Sequence, residues 1–110
     1  MICKRYDVVI VPFPFTDQRA SKRRPAVTLS SEAFSTDSGH TLLAMITSAK
    51  NPPWPMDLLI DAASVGLGSP SKVRMKLFTL DNRLILQKIG SLSATDQRAV
   101  GAAIQRLLNI

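Results

Sequence analysis

The sequence has few of the residues that form disulfides and metal centres. Cys3 is the only cysteine and His40 the only histidine among the 110 residues. One cysteine allows no internal disulfide and no cysteine-based metal cluster, which fits a reducing compartment such as the cytoplasm. A zinc site would need several carboxylates beside His40, and no acidic cluster has the spacing of metal ligands. We therefore expect a cytoplasmic protein without a metal or another cofactor.

Long apolar segments are also lacking. The apolar run at residues 8–15 is short, follows Asp7 and contains Pro12 and Pro14. It has neither the composition of a secretory signal peptide nor the roughly 20 residues that a transmembrane helix needs, so we expect no membrane association. Hydrophobic residues still make up 45% of the chain, which is enough for one core. The length of 110 residues predicts a single domain, 1–110.

Acidic residues are also few relative to basic ones. Fourteen Lys and Arg stand against eight Asp and Glu, and the sequence pI is about 10.1. This excess favours a polyanionic partner such as nucleic acid, an acidic protein segment or an anionic membrane surface, although it would also serve solubility alone. The cations concentrate in two stretches: Arg19, Lys22, Arg23 and Arg24, then Lys72, Arg74, Lys76, Arg83 and Lys88. They would form one basic face if the fold brings the two stretches together.

Short apolar segments separated by turn residues predict a mainly β fold. Strands are predicted at residues 8–11, 25–30, 41–47, 57–60 and 72–80. In the last of these, Val73, Met75 and Leu77 alternate with Arg74, Lys76 and Phe78, as in a half-buried strand. A turn at 81–82 would return residues 83–89 beside it as a hairpin. Loops are expected at 16–22, 51–55 and 66–70, and a Ser-, Asp- and Gly-rich turn at 35–39.

A helix is predicted near the C-terminal end of the chain. Ser93 can cap its start, with the side chain of Asp96 reaching back to complete a capping box. The apolar residues behind this cap have the spacing of one helical stripe: Val100, Ile104, Leu107 and Leu108. Small residues beside the stripe would allow close approach to the sheet or to a second subunit. Short strands followed by one helix predict a small, curved antiparallel sheet or barrel.

Two segments carry groups suited to phosphate. Lys22, Arg23 and Arg24 precede the strand at 25–30, and Thr47 and Ser48 stand at the end of the strand at 41–47. A guanidinium group presents a planar fork of N–H donors that matches phosphate oxygens and stays charged at any working pH. A threonine hydroxyl can donate or accept one further hydrogen bond. Taken alone, the pattern also fits a solvated strand end at Arg24 and an ordinary strand residue at Thr47.

Several short motifs occur in an order that carries a family resemblance. They are Asp-Val-Val-Ile-Val-Pro-Phe-Pro-Phe-Thr-Asp at 7–17, Arg-Arg-Pro-Ala-Val at 23–27, Ile-Thr-Ser at 46–48, Gly-Leu at 66–67, Ser-Lys-Val at 71–73, Thr-Leu-Asp at 79–81 and Ile-Gly-Ser-Leu at 89–92. Over nearly its whole length the chain thereby resembles the MazF/PemK toxins of bacterial type II toxin–antitoxin systems. It departs from them at Tyr6, where a glycine commonly stands. Its first loop also holds Arg19 and Lys22 instead of the acidic Glu-Gln element of some members.

The resemblance implies a fold, a reaction and partners. The fold would be a small SH3-like barrel of antiparallel strands with a C-terminal α-helix, assembled as a homodimer. The reaction would be metal-independent, sequence-specific cleavage of single-stranded mRNA, which inhibits translation and growth. The further partner would be a cognate acidic antitoxin. The arginine before the proline and the threonine of Ile-Thr-Ser, catalytic in this family, correspond to Arg24 and Thr47, with Ser48 as a secondary candidate.

Other residues are candidates for RNA binding and proton transfer. The RNA-binding candidates are cations and one aromatic ring: Arg19, Lys22, Arg23, Lys50, Trp54, Lys72, Arg74 and Lys76. Trp54, which lies between prolines, either caps the core or stacks on an unpaired base. Asp17 and His40 are the side chains to test as a general base, and the sequence favours neither.

Two other functions are alternatives to this interpretation. A non-catalytic basic barrel that binds RNA or an acidic protein segment would share the charge and the fold but would need no catalytic pair. A related family of gyrase-poisoning toxins shares the barrel but ends in a Trp-Gly-Ile type tail, whereas residues 107–110 read Leu-Leu-Asn-Ile. The endoribonuclease is therefore the leading hypothesis.

Overall fold

The computed structural model describes residues 1–12 and 22–110. Within these residues, six strands form one antiparallel sheet: β1 (Asp7–Pro12), β2 (Arg23–Thr28), β3 (His40–Ser48), β4 (Leu58–Ile60), β5 (Ser71–Asp81) and β6 (Gln87–Ser91). Their spatial order is β4-β5-β3-β2-β1-β6. The same part of the chain contains helix α1 (Glu32–Ser38), helix α2 (Ala94–Leu108) and 3₁₀ turns at Ala63–Val65 and Asn82–Leu84. Of the loop predicted at 16–22, residues 16–21 lie outside the described residues.

Both faces of the curled sheet are buried. Val8 and Val27 belong to one core cluster, which also includes Val100 of α2. Their neighbours Val9 and Ala26 belong to a second cluster. Because successive residues of a strand face opposite sides, a sheet with a core on each side has strands that are apolar at consecutive positions. The predicted mainly β fold, antiparallel strands followed by a C-terminal helix, is confirmed.

The predicted hairpin between β5 and residues 83–89 is wrong. The partners of β5 are β3, along most of its length, and β4, at residues 71–73. After β5 the chain turns at the buried Asn82, whose amide donates to the Ser35 carbonyl at 2.7 Å and accepts from Thr41 Oγ1 at 2.6 Å. The chain then crosses the fold, and β6 pairs with β1.

The turn predicted at 35–39 is the end of helix α1. Ser31 caps the start of this helix, because its Oγ accepts from the Phe34 N–H at 3.1 Å. Gly39 ends the helix with a φ of 74°, in the left-handed region that glycine adopts without a steric penalty. The turn prediction is wrong because the residues that cap a short helix are the same types that form turns.

Strand β5 alternates as predicted, but both of its faces are covered. Val73 and Met75 belong to the first core cluster. Phe78, expected on the solvent side, is buried in the second cluster. Arg74 lies on the same side and is only 8% exposed. The expectation of a half-buried strand is therefore wrong.

Helix α2 begins as predicted and ends in solvent. Ser93 Oγ accepts from the Asp96 N–H at 3.1 Å. The Asp96 carboxylate, expected to reach back to the cap, accepts from the Asp61 N–H at 2.8 Å and joins α2 to the segment after β4. Leu107 and Leu108, at the far end of the predicted stripe, are exposed. None of the helices in the described ranges combines the length and the apolar character of a bilayer span.

Candidate functional site

The ends of three neighbouring strands bring predicted site residues into one row. The ladder between β2 and β3 ends at the pair of Ala26 and Met45, and Arg24 and Thr47 lie two residues beyond it on their strands. The register between β3 and β5 pairs Thr47 with Lys72. Residues directly opposite each other share a face of the sheet, with Cβ atoms roughly 5 Å apart. Thr47 and Lys72 therefore share a face, and Arg24, paired with Val11 of the second core cluster, lies on the same face at the neighbouring end of β2.

Thr47 is buried, and its hydroxyl has a defined partner. The residue is 5% exposed. Its Oγ1 accepts from Asn51 Nδ2 at 2.5 Å. The next residue, Ser48, is exposed, and its Oγ accepts from the N–H of the exposed Lys50 at 3.2 Å. The Thr47 hydroxyl is thus held at the base of the loop that follows β3, whereas the Ser48 hydroxyl lies at its surface.

A buried ion cluster stands beside this row. Asp57 Oδ2 lies 3.2 Å from Lys72 Nζ and 3.0 Å from Arg74 Nη2, and all three side chains are about one-tenth exposed or less. Burial acts to raise the pKa of Asp57, but hydrogen bonds from Arg74, the Trp54 N–H and Lys72 outweigh it and lower this pKa. Asp57 therefore stays ionised, and two cations share one carboxylate, which leaves one excess positive charge.

Lys72 and Arg74 also hold the proline-rich loop at 51–55. Lys72 Nζ donates to the Asn51 carbonyl at 2.7 Å. Arg74 Nη2 donates to the Pro52 carbonyl, also at 2.7 Å. These two cations lie beneath the loop rather than on an open surface. Their contact with RNA stays a prediction.

Trp54 lies on the outside of the same loop. It is 43% exposed and lines a surface pocket with Met75 of the first core cluster and Leu107 of α2, so it combines contact with the core and an exposed ring surface. The guanidinium carbon of Arg74 lies 5.2 Å from the ring centroid and Lys76 Nζ 5.7 Å from it. The ring thus covers two cations, at distances typical of cation–π contacts, and keeps part of its surface in solvent.

The remaining candidates are spread more widely. Lys22 and Arg23 are exposed at the start of β2, and Arg24 is half-buried. His40 begins β3, seven residues and roughly 23 Å of extended strand from Thr47, so it lies away from the row. Arg19 and Asp17 lie outside the described residues. In residues 1–12 and 22–110, no three or more His, Cys, Asp or Glu side chains come together as a metal-binding group.

The two basic stretches do not merge into one face. Arg83 pairs with Asp81 at 2.8 Å, in the turn that follows the far end of β5. Lys88 lies 3.5 Å from Asp7, at the start of β1. Only the first residues of the second stretch, from Lys72, adjoin the row. The single basic face considered from the sequence is therefore wrong for Arg83 and Lys88.

Asn51 and Asp57 were not among the residues selected from the sequence. Asn51 contacts Thr47 from four residues away. Asp57, which directly precedes β4, binds Arg74 on the neighbouring strand β5, seventeen residues away along the chain. Neither has a sequence signal of its own, because one Asn in a loop and one Asp before a strand occur in many folds. The available clue is the set of alternating cations in β5, because such cations need a carboxylate to neutralise them.

Comparison with known proteins identifies the family. The sequence model of the PemK-like, MazF-like toxins of type II toxin–antitoxin systems matches residues 4–108. No curated protein sequence matches the chain significantly.

Solved structures give the same result for the fold. A MazE–MazF structure from Deinococcus radiodurans matches with a TM-score of 0.81 and 22% identity, over 100% of this chain and 99% of that one. An endoribonuclease in complex with its cognate antitoxin, from a mycobacterial species, matches with a TM-score of 0.78 and 12% identity, over 99% and 95%. The Mycobacterium tuberculosis toxin MazF-mt6 matches with a TM-score of 0.77 and 23% identity, over 94% and 97%. The expected SH3-like barrel is thereby confirmed, and the chain belongs to the PemK-like, MazF-like toxin family of type II toxin–antitoxin systems.

Proposed function

We propose that this toxin is a metal-independent, sequence-specific endoribonuclease that cleaves single-stranded mRNA in the cytoplasm and so inhibits translation and growth. The observation that carries the proposal is that Arg24 and Thr47 stand on one face at the neighbouring ends of the adjacent strands β2 and β3. A mycobacterial protein of the same fold is described as an endoribonuclease, which supports this class of reaction.

RNA can be cut without a metal through its own 2′-OH. The 2′ oxygen forms a bond to phosphorus and the bond to the 5′ oxygen breaks, which gives a 2′,3′-cyclic phosphate and a 5′-OH. A protein catalyst must align this attack and stabilise the charge that builds up on the phosphate oxygens. Arg24 would stabilise that charge through its N–H fork. Thr47 would hydrogen-bond at the same phosphate, with Ser48 as a secondary contact.

The surroundings of the pair suit a single RNA strand. Lys22, Arg23 and Lys50 are exposed near the ends of β2 and β3, where each can contact a backbone phosphate. Trp54 offers part of an aromatic ring on which an unpaired base would stack. Lys72, Arg74 and Lys76 would add positive charge from beneath, and Arg19 from the loop before β2.

Two protein partners belong to the proposal. The net charge of +6 favours an acidic antitoxin, and a structural relative from Deinococcus radiodurans was solved as a MazE–MazF complex. A second copy of the chain would form a homodimer. The apolar residues exposed at the end of α2 (Leu107, Leu108 and Ile110) offer surface for such contacts.

The decisive experiment is cleavage of a long, unstructured RNA by the purified protein, free of antitoxin, in EDTA. Primer extension maps the cuts, and Arg24→Ala serves as the comparison. We expect discrete cuts with 5′-OH ends in the wild type and none in Arg24→Ala. Intact RNA with folded wild-type protein would refute the proposal in favour of a barrel that only binds. Full cleavage by Arg24→Ala would refute the role of Arg24.

A further inference from the structure

Asn51 controls the hydrogen bonding of the Thr47 hydroxyl. The Asn51 amide donates through Nδ2, and Thr47 Oγ1 accepts at 2.5 Å. A hydroxyl whose oxygen accepts from one direction keeps its own proton for an acceptor in another direction. The contact therefore restricts the rotation of the Thr47 O–H bond and makes this group available as a donor.

The backbone around Asn51 is held on both sides. Its N–H donates to the Ser48 carbonyl at 3.1 Å, and its carbonyl accepts from Lys72 Nζ at 2.7 Å. Arg74 donates to the carbonyl of Pro52, and the ring of this proline limits the backbone further. Asp57 in turn holds Lys72 and Arg74. Asn51 is thus fixed against Thr47 in the absence of RNA.

We propose that Asn51 is a positioning residue that fixes Thr47 as the hydrogen-bond donor to a non-bridging oxygen of the scissile phosphate. This inference rests on the proposed endoribonuclease activity and assigns Thr47 one of its two conceivable roles. The other role, accepting the hydrogen bond of the 2′-OH, would leave the Thr47 proton without a function in the reaction. Arg24, at the neighbouring end of β2, would bind the same phosphate from the adjacent strand.

A donor that is already oriented acts mainly on the chemical step. Negative charge on the non-bridging oxygens rises toward the transition state, so a fixed donor binds the transition state more tightly than the bound substrate. An unfixed hydroxyl must first be oriented, and that cost appears in the rate. Loss of Asn51 should therefore lower kcat more than it changes KM.

The test uses short single-stranded RNAs that carry the mapped cleavage sequence, with either non-bridging oxygen of the scissile phosphate replaced by sulfur. Wild type, Asn51→Ala and Thr47→Val are compared in EDTA. We expect Asn51→Ala to lower kcat roughly ten- to a hundredfold with little change in KM. Sulfur accepts hydrogen bonds poorly, so one diastereomer should slow the wild type. This slowing should shrink in Asn51→Ala and Thr47→Val, for the same diastereomer.

Gln105→Ala is the matched control, because Gln105 is an exposed amide on α2. It should keep the wild-type kcat and the wild-type sulfur effect. Wild-type kcat in Asn51→Ala would overturn the inference, and so would a lower kcat with an unchanged sulfur effect, because that loss would be structural. A wild type that cleaves no RNA would refute the proposed function itself, and this inference with it.

Discussion

At the scale of single residues, Asp57 binds two buried cations at once. Its carboxylate lies within 3.2 Å of Lys72 Nζ and Arg74 Nη2. Replacing it would leave both charges buried without a counter-charge, so we expect Asp57→Asn to lower the free energy of unfolding by about 3 kcal/mol in urea denaturation. Asp81→Asn is the control, because its partner Arg83 is 89% exposed and the asparagine oxygen can still accept from the Arg83 N–H, so the change should matter little. Equal, small effects of the two substitutions would contradict this role.

The same carboxylate makes stability depend on pH. Burial acts to raise the pKa of Asp57, but hydrogen bonds from Arg74, the Trp54 N–H and Lys72 lower it below the ordinary 3.8. Because the folded-state pKa is the lower one, this contribution is complete above the unfolded pKa and is lost as the pH falls through the folded pKa. The gap in unfolding free energy between wild type and Asp57→Asn should therefore narrow below about pH 4. Urea denaturation across pH checks this, and a constant gap would contradict it.

At the scale of elements, the sequence predicts the positions of the strands, which depend on residues close together along the chain. Each predicted strand from 8–11 to 72–80 lies within two residues of an observed one, because alternation and β-branched residues act over a few positions. Pairing is decided far along the chain: β6 pairs with β1, about eighty residues away, and not with β5, which precedes it. The motifs located Arg24 and Thr47. The pairing that brings the ends of β2 and β3 together is known only from the structure.

The loop at 51–55 gives an element-scale prediction for RNA affinity. Trp54 lies over Arg74 and Lys76 with 43% of its surface exposed. A base stacked on this ring would lose its support in Trp54→Ala, so we expect about tenfold weaker binding of an uncleavable 2′-O-methyl RNA. Trp54→Phe should retain part of the affinity, since a phenyl ring still stacks.

Phe34→Ala is the matched control for Trp54→Ala. Phe34 is also an exposed aromatic residue, but it lies on α1, away from the loop at 51–55. Fluorescence anisotropy of a labelled RNA measures both variants. Equal losses of affinity in the two would mean that exposed aromatic surface, rather than the loop, binds the RNA.

At the scale of the whole molecule, the net charge is +6, but the cations differ in how available they are to a polyanion. Asp57 takes up part of the charge of Lys72 and Arg74, Asp81 pairs with Arg83, and Asp7 lies near Lys88. Among the exposed cations for which the described residues provide no carboxylate contact, Lys22, Arg23 and Lys50 stand near the row, whereas Lys4, Arg5, Arg98 and Arg106 lie before β1 and on α2. The ends of β2 and β3 therefore offer three cations to a polyanion, separately from the cations before β1 and on α2.

This uneven charge predicts how binding depends on salt. Each phosphate contact on a single strand adds about 0.7 to the slope of log affinity against log salt concentration. Lys22→Ala should therefore reduce that slope by about 0.7 for the 2′-O-methyl RNA. Lys4→Ala, an exposed lysine before the opposite end of β1, should leave it unchanged. If both variants lowered the slope equally, RNA would respond to the total charge of the molecule, and the row at the strand ends would not be its binding site.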